Sequence, residues 1–146
     1  MIYGGYKNYL GHSKTVHNNV YVHPEWRAGS FGGNVGMCVQ DVGNPTAAMW
    51  GEEWQGNTCI FGGSAAHPSV ATKIGDFGAS PNKLAAGNNI YLVPPNTNVT
   101  LDLGAASTLM TLKAAQTAGI DVGSTVGATP TDEAIVAMGK ALLKMK

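Results

Sequence analysis

Glu52 and Glu53 stand between Trp50 and Trp54, with Glu25 beside Trp26 earlier in the chain. Tryptophan faces stack on sugars and two carboxyls can split a glycosidic bond, so this segment raises carbohydrate chemistry first. Neighbouring residues of an extended segment point to opposite sides, whereas glycoside hydrolysis needs carboxyls that converge on one bond. A small cytoplasmic hydrolase is therefore the weakest of three readings. A carbohydrate- or receptor-binding module built on Trp26, Trp50 and Trp54 is the next.

His12, His17, His23, Cys38, Cys59 and His67 could supply nitrogen and sulfur ligands. Their spacing lacks the close Cys or His doublets that structural zinc needs, and no metal or other cofactor is expected. Cys38 and Cys59 lie in the apolar runs Gly36-Met37-Cys38-Val39 and Thr58-Cys59-Ile60-Phe61. Such surroundings suit small core hydrophobes, and neither supplies the positive charge that activates a thiolate. The N-terminal Met1-Ile2-Tyr3-Gly4 has no signal-peptide pattern, which fits synthesis in a cytoplasm and argues against a disulfide. Ser64 after Gly62-Gly63 does not complete a nucleophile elbow. The glycines from Gly29 to Gly36 precede strand-like residues without a Gly-Lys-Ser/Thr, so they form no phosphate loop. No catalytic residue is assigned.

The elements that would position these residues read mostly as strands. Val20–His23, Val35–Val39, Thr46–Trp50, Thr58–Phe61, Asn89–Val93 and 98–103 are apolar or alternating runs separated by Gly, Pro and Asn. Thr46–Trp50 with Thr58–Phe61, and Asn89–Val93 with 98–103, look like two hairpins. Ser64–Asn89 reads as a long loop with one strand near 70–74, and no repeat of fixed period is apparent. Residues 1–19, with Tyr3, Tyr6 and Tyr9 among Gly, Lys and Asn, read as an N-terminal arm. Residues 20–146 read as one β-rich domain with helices at about 107–118 and 131–145. Thr131 can cap the last helix, Asp132 and Glu133 suit its positive end, and Ile135, Met138, Leu142 and Met145 form an apolar stripe.

Charged residues make up 12% of the 146, about half the usual share, and nine basic residues balance nine acidic ones. Arg27 is the one arginine, so phosphate neutralisation is poorly provided for and nucleic acid is disfavoured as a partner. No stretch approaches the length of a membrane span. A surface with so little charge is weakly protected against association and suits a protein covered by copies or partners.

A neutral Gly/Asn/Thr/Ala-rich β domain with an aromatic arm and a C-terminal helix resembles the small virion proteins of tailed bacteriophages, in particular capsid cement or decoration proteins. The resemblance lies in overall character along the chain. It implies a β-sandwich, jelly-roll or β-tulip core and a dimer or trimer made in the host cytoplasm. It also implies attachment to the capsid exterior, with the major capsid protein or other virion subunits as partners. Tyr3, Tyr6, Tyr9, Trp26, Trp50 and Trp54 are then the candidate contacts, since Tyr and Trp dominate binding hot spots.

Overall fold

A computed structural model describes residues 6–8, 15–23, 38–41, 52–62, 72–76, 84–95, 99–102 and 109–145. The strands are β1 (Tyr6–Asn8), β2 (Thr15–His17), β3 (Val20–His23), β4 (Val39–Asp41), β5 (Glu52–Gln55), β6 (Thr58–Phe61), β7 (Thr72–Asp76), β8 (Leu84–Gly87), β9 (Ile90–Val93), β10 (Val99–Asp102), β11 (Leu109–Thr111) and β12 (Thr125–Ala128). Helix α1 spans Leu112–Thr117 and α2 spans Asp132–Leu142.

Every third strand belongs to the same sheet. One sheet runs β1-β4-β7-β10-β11, a second β2-β5-β8, and a third β12-β9-β6-β3. All neighbours pair in parallel except β10 with β11. The chain therefore coils, laying one strand on each of three faces per turn, and forms a parallel β-solenoid. The antiparallel sandwich, jelly-roll or tulip expected from the sequence is not what the chain forms.

The hairpin expectation failed for a definable reason. Thr46–Trp50 lies outside the described residues. Glu52–Gln55, read as loop within the first hairpin, is β5 and pairs with β2 and β8, while β6, only Gly56 and Asn57 later, pairs with β3 and β9. Two residues make a corner between sheets, where a hairpin needs them to reverse the chain within one. Residue alternation reveals that a segment is extended but carries no information about the direction of its partner. Similarly, β9 and β10 lie in different sheets. The long loop expected over Ser64–Asn89 contains β7 and β8. Tyr6–Asn8 and Thr15–His17, read as parts of an arm, are strands of the first turn.

Inward residues stack on their counterparts one turn away. Val16, Trp54 and Ala86 share register on one face, and Tyr21, Cys59 and Tyr91 on another. Trp54, Cys59, Phe61, Tyr91, Val93 and Cys38 join Leu112, Ala115 and Ile120 in one core. The rings of Tyr21 and Trp54 lie 5.3 Å apart at 34°, a favourable tilted geometry. Cys38, next to β4, is disulfide-bonded to Cys59 of β6, joining two faces of the solenoid through its interior. The expectation of two reduced core thiols is corrected on this point: both residues are buried as expected, but they are brought together by coiling that the sequence reading did not foresee.

At the C-terminal end the coil is closed differently. Strand β11 turns back against β10, and α1 follows, capped by the Thr111 hydroxyl accepting from the Ala114 amide. Leu112 and Ala115 of α1 are buried. The helix thus begins at 112, shorter than the 107–118 read from the sequence, because Leu109–Thr111 pairs with β10 instead.

Candidate functional site

The chemistry of this chain concentrates where the second face turns into the third. Four corners lie above one another: Asn18-Asn19, Gly56-Asn57, Asn88-Asn89 and Gly123-Ser124. The first residue of each is left-handed, with φ of 57°, 64°, 55° and 79°. Asn and Gly tolerate that conformation best, and it is what swings the chain from one sheet to the next. A Cβ on Gly56 would meet the Asn18 side-chain oxygen at 2.6 Å, so asparagine on one turn alternates with glycine on the next.

The second residues of the corners form a ladder, with Asn57, Asn89 and Ser124 buried and Asn19 exposed at its first rung. The Asn19 amide donates to the Asn57 Oδ1 at 3.0 Å, the Asn57 amide to the Asn89 Oδ1 at 2.9 Å, and the Asn89 amide to the Ser124 Oγ at 2.8 Å. In the opposite direction the Asn57 Nδ2 donates to the Val16 carbonyl and the Asn89 Nδ2 to the Trp54 carbonyl, at 2.9 and 3.2 Å. Main-chain bonds run beside these, from Thr58 to Asn19, Ile90 to Asn57 and Thr125 to Asn89, each 2.8 Å. The backbone groups that a sharp corner would leave without partners inside the protein are thereby satisfied.

Asp121 ends the ladder. Its carboxylate is buried and accepts from the Asn89 Nδ2 at 2.8 Å, the Ser124 hydroxyl at 2.7 Å and the Tyr91 hydroxyl at 2.8 Å. Three donors compensate the desolvation of a buried charge. Gln116 of α1 closes the outside, donating to the carbonyls of Asp121 and Ser124. Burial, reinforced by the charge of Asp121 and the bond to it, raises the Tyr91 phenol well above its ordinary pKa, against smaller opposing contributions from Trp54 and Asn89. The folded protein holds this proton more tightly than the unfolded chain does. Its stabilisation is therefore complete below the unfolded pKa of about 10 and declines as pH rises beyond it, by at most about 1.4 kcal/mol per pH unit. Urea titrations from pH 9 to 11 should show that decline, and Tyr91→Phe, though less stable at pH 7, should show a flatter slope over the same range. An equal slope in the two proteins would rule Tyr91 out as its source.

Outside the ladder, the corners border an open hollow of about 440 Å³ lined by His17, Asn18, Glu53, Gln55, Gly56 and Asn88. The His17 Nε2 and Glu53 carboxylate are 2.9 Å apart and partly exposed. The Gln55 Nε2 donates to the Ala85 carbonyl at 3.2 Å. An imidazole–carboxylate pair can move a proton, but the rest of the lining is amide and glycine, which offers neither nucleophile nor second acid. Such a surface can hydrogen-bond a neutral polar ligand. Among the described residues no group of three His, Cys, Asp or Glu side chains could hold a metal ion, and no helix is long and apolar enough to cross a membrane.

Of the residues singled out from sequence, His17 and Glu53 meet at this hollow; the aromatic candidates are not gathered here. Trp54 is fully buried in the core and presents no surface to sugar or partner. The backbone of Tyr6 lies in β1. Tyr3, Tyr9, Trp26, Trp50 and Glu25 lie outside the described residues. The ladder and the hollow were missed, although a signal existed: Asn-Asn, Gly-Asn, Asn-Asn and Gly-Ser each precede a β-branched residue, Val20, Thr58, Ile90 and Thr125. Rung separations of 38, 32 and 35 residues hid the repeat from a search for a fixed period.

Compared with protein-family models, curated proteins and solved structures, the chain finds no match in any of the three.

Proposed function

We propose that this chain is a non-enzymatic structural subunit of a larger particle, and specifically a cement or decoration protein on the exterior of a tailed-phage capsid. The observation that carries the non-enzymatic reading is the use made of buried polarity. Among the described residues the buried polar side chains are Asn57, Asn89, Asp121 and Ser124, and all four belong to the ladder that joins one turn to the next. Buried polar chemistry here serves rigidity. Among the described residues, six of the eight exposed large apolar side chains lie toward the C-terminal end, Val122, Val126, Val136, Leu142, Leu143 and Met145, the other two being Val22 and Ile90. A surface of low charge density with apolar residues at one end favours a subunit that is covered in use. The Cys38–Cys59 bond supports a working life outside a reducing cytoplasm, and virion surfaces are one such setting. The particle-specific part of the proposal rests on the sequence resemblance, with the major capsid protein or other virion subunits and further copies of the chain as partners.

The test is sedimentation of the purified chain with assembled capsid shells of the virus that encodes it. Saturable pelleting at a fixed ratio to the shell subunit, with a raised shell rupture temperature, is the expected result. A chain that stays in the supernatant at every concentration would overturn the capsid role.

A second reading, binding of a neutral polyhydroxylated ligand, is favoured by the amide-lined hollow at His17, Glu53, Gln55 and Asn88. It does not use the tryptophan platform, since Trp54 is inside. A glycan array would show ligands whose binding is lost in Glu53→Ala; an array blank for the wild-type chain would remove this reading.

A further inference from the structure

Helix α2 does not present its apolar residues as the sequence stripe implies. Of the stripe, Ile135 and Met138 are half-buried and Leu142 and Met145 are exposed, while off the stripe Val136 and Leu143 are 58% and 71% exposed. No residue of the helix is fully buried. Its outward face carries Glu133, Val136, Lys140 and Leu143, spaced 3, 4 and 3 apart, so that these four exposed residues share one side of the helix and its C-cap. Ile135 and Met138 lie on the other side.

That face has a direction. Asp132 and Glu133 stand at its start, and Lys140 and Lys144 near its end. Thr131 caps the helix by accepting from the Ala134 amide. The Glu133 carboxyl is held below its ordinary pKa by its own backbone amide and then by the Thr131 hydroxyl, so it is ionised at neutral pH. Laid parallel, two such helices would set Glu133 beside Glu133 and Lys140 beside Lys140. Laid antiparallel, each Glu133 meets the Lys140 of the other copy, the two Val136 side chains meet between them, and the helix dipoles oppose.

From this self-complementarity we infer that the outward face of α2 binds a second copy of this chain, antiparallel, across a two-fold axis. The contact is isologous: the same four residues serve both sides. An 11-residue helix is about 16 Å long, and one face of it covers less than the 1,200–2,000 Å² of a stable interface. The pair is accordingly a reversible one, dissociating in the micromolar range or above when isolated, and it strengthens where a particle holds copies close together. The inference deepens the assembly reading by naming one self-contact.

Charge exchange tests it on the full-length chain by sedimentation velocity over a concentration series. Wild type should pass from monomer to dimer. Glu133→Lys and Lys140→Glu should each remain monomeric at concentrations where wild type is half dimeric, because each places like charges across the axis. One result is then specific to antiparallel pairing: the double variant Glu133→Lys/Lys140→Glu dimerises again. An equimolar mixture of the two single variants should also form a heterodimer, which shows that the charges of this face make the contact. Far-UV circular dichroism and melting temperature verify that the helix persists; should Glu133→Lys unfold it, Lys140→Glu mixed with wild type, compared with each alone, supplies the comparison. A wild-type chain monomeric to millimolar concentration, or single variants that dimerise like wild type, would overturn the inference. Pelleting with capsid shells, measured on the same samples, reports on the assembly reading separately, so that either can fail alone.

Discussion

Replacing Asn89 with alanine should destabilise the protein by about 4 kcal/mol or more, enough to unfold a domain of ordinary stability. The substitution strips a hydrogen-bond partner from the Asn57 amide, the Trp54 carbonyl and the Asp121 carboxylate together. Each buried backbone group left without a partner costs about 1–3 kcal/mol, and a buried carboxylate that loses a donor costs more than a neutral group does. Aspartate at the same position separates packing from hydrogen bonding. It matches asparagine in shape and still accepts from the Asn57 amide, but it replaces the Nδ2 with an oxygen at 2.8 Å from Asp121 and 3.2 Å from the Trp54 carbonyl. Asn89→Asp should therefore be at least as damaging as Asn89→Ala at pH 7. Urea unfolding followed by circular dichroism measures both, and an Asn89→Asp protein as stable as wild type would show that the Nδ2 donor is dispensable.

The second large effect belongs to the disulfide. Cys38 and Cys59 are 21 residues apart in sequence, and closing a loop of that size restricts the unfolded chain by about 3 kcal/mol. The Cys38→Ala/Cys59→Ala protein should unfold at a urea concentration lower by the equivalent of that energy, and wild type with reductant should move to a similar midpoint. Both sulfurs are fully buried, so reduction of the native protein should be slow and should track global unfolding. Thiol titration of the denatured, non-reduced protein should find no free thiol. Two thiols per chain would sink the prediction.

Extended segments were readable from the sequence because alternating or continuous apolar runs announce strands: Val20–His23 and Thr58–Phe61 coincide with β3 and β6, and Asn89–Val93 overlaps β9 but begins one residue early, on the corner residue Asn89. The cap and charges that announce α2 are equally local, and Thr131 does cap it. What could not be read were relations between segments. A corner between sheets and the turn of a hairpin draw on the same Gly, Asn and Pro preferences. Only the partner of each strand distinguishes them, and here those partners are 32 to 38 residues away. The tryptophans illustrate the same limit. Trp54 in Trp-Gly-Glu-Glu-Trp looks like a surface platform, but it stacks in register with Val16 and Ala86 from other turns and faces inward. The candidate hollow depends on this coiling too, because it sets His17 against Glu53 from the next turn.

The ladder also has a consequence for the order in which the protein is made. Each rung's amide donates to the side chain of the rung that follows it in sequence, ending at Ser124 and Asp121. The amide of each rung thus lacks its side-chain partner until the next turn has been added. The early turns emerge before the groups that complete their corners. Pairings 32 or more residues apart also form slowly. Neighbouring turns complete one another's corners in both directions, and the solenoid should therefore gain its stability through contacts between turns more than within one.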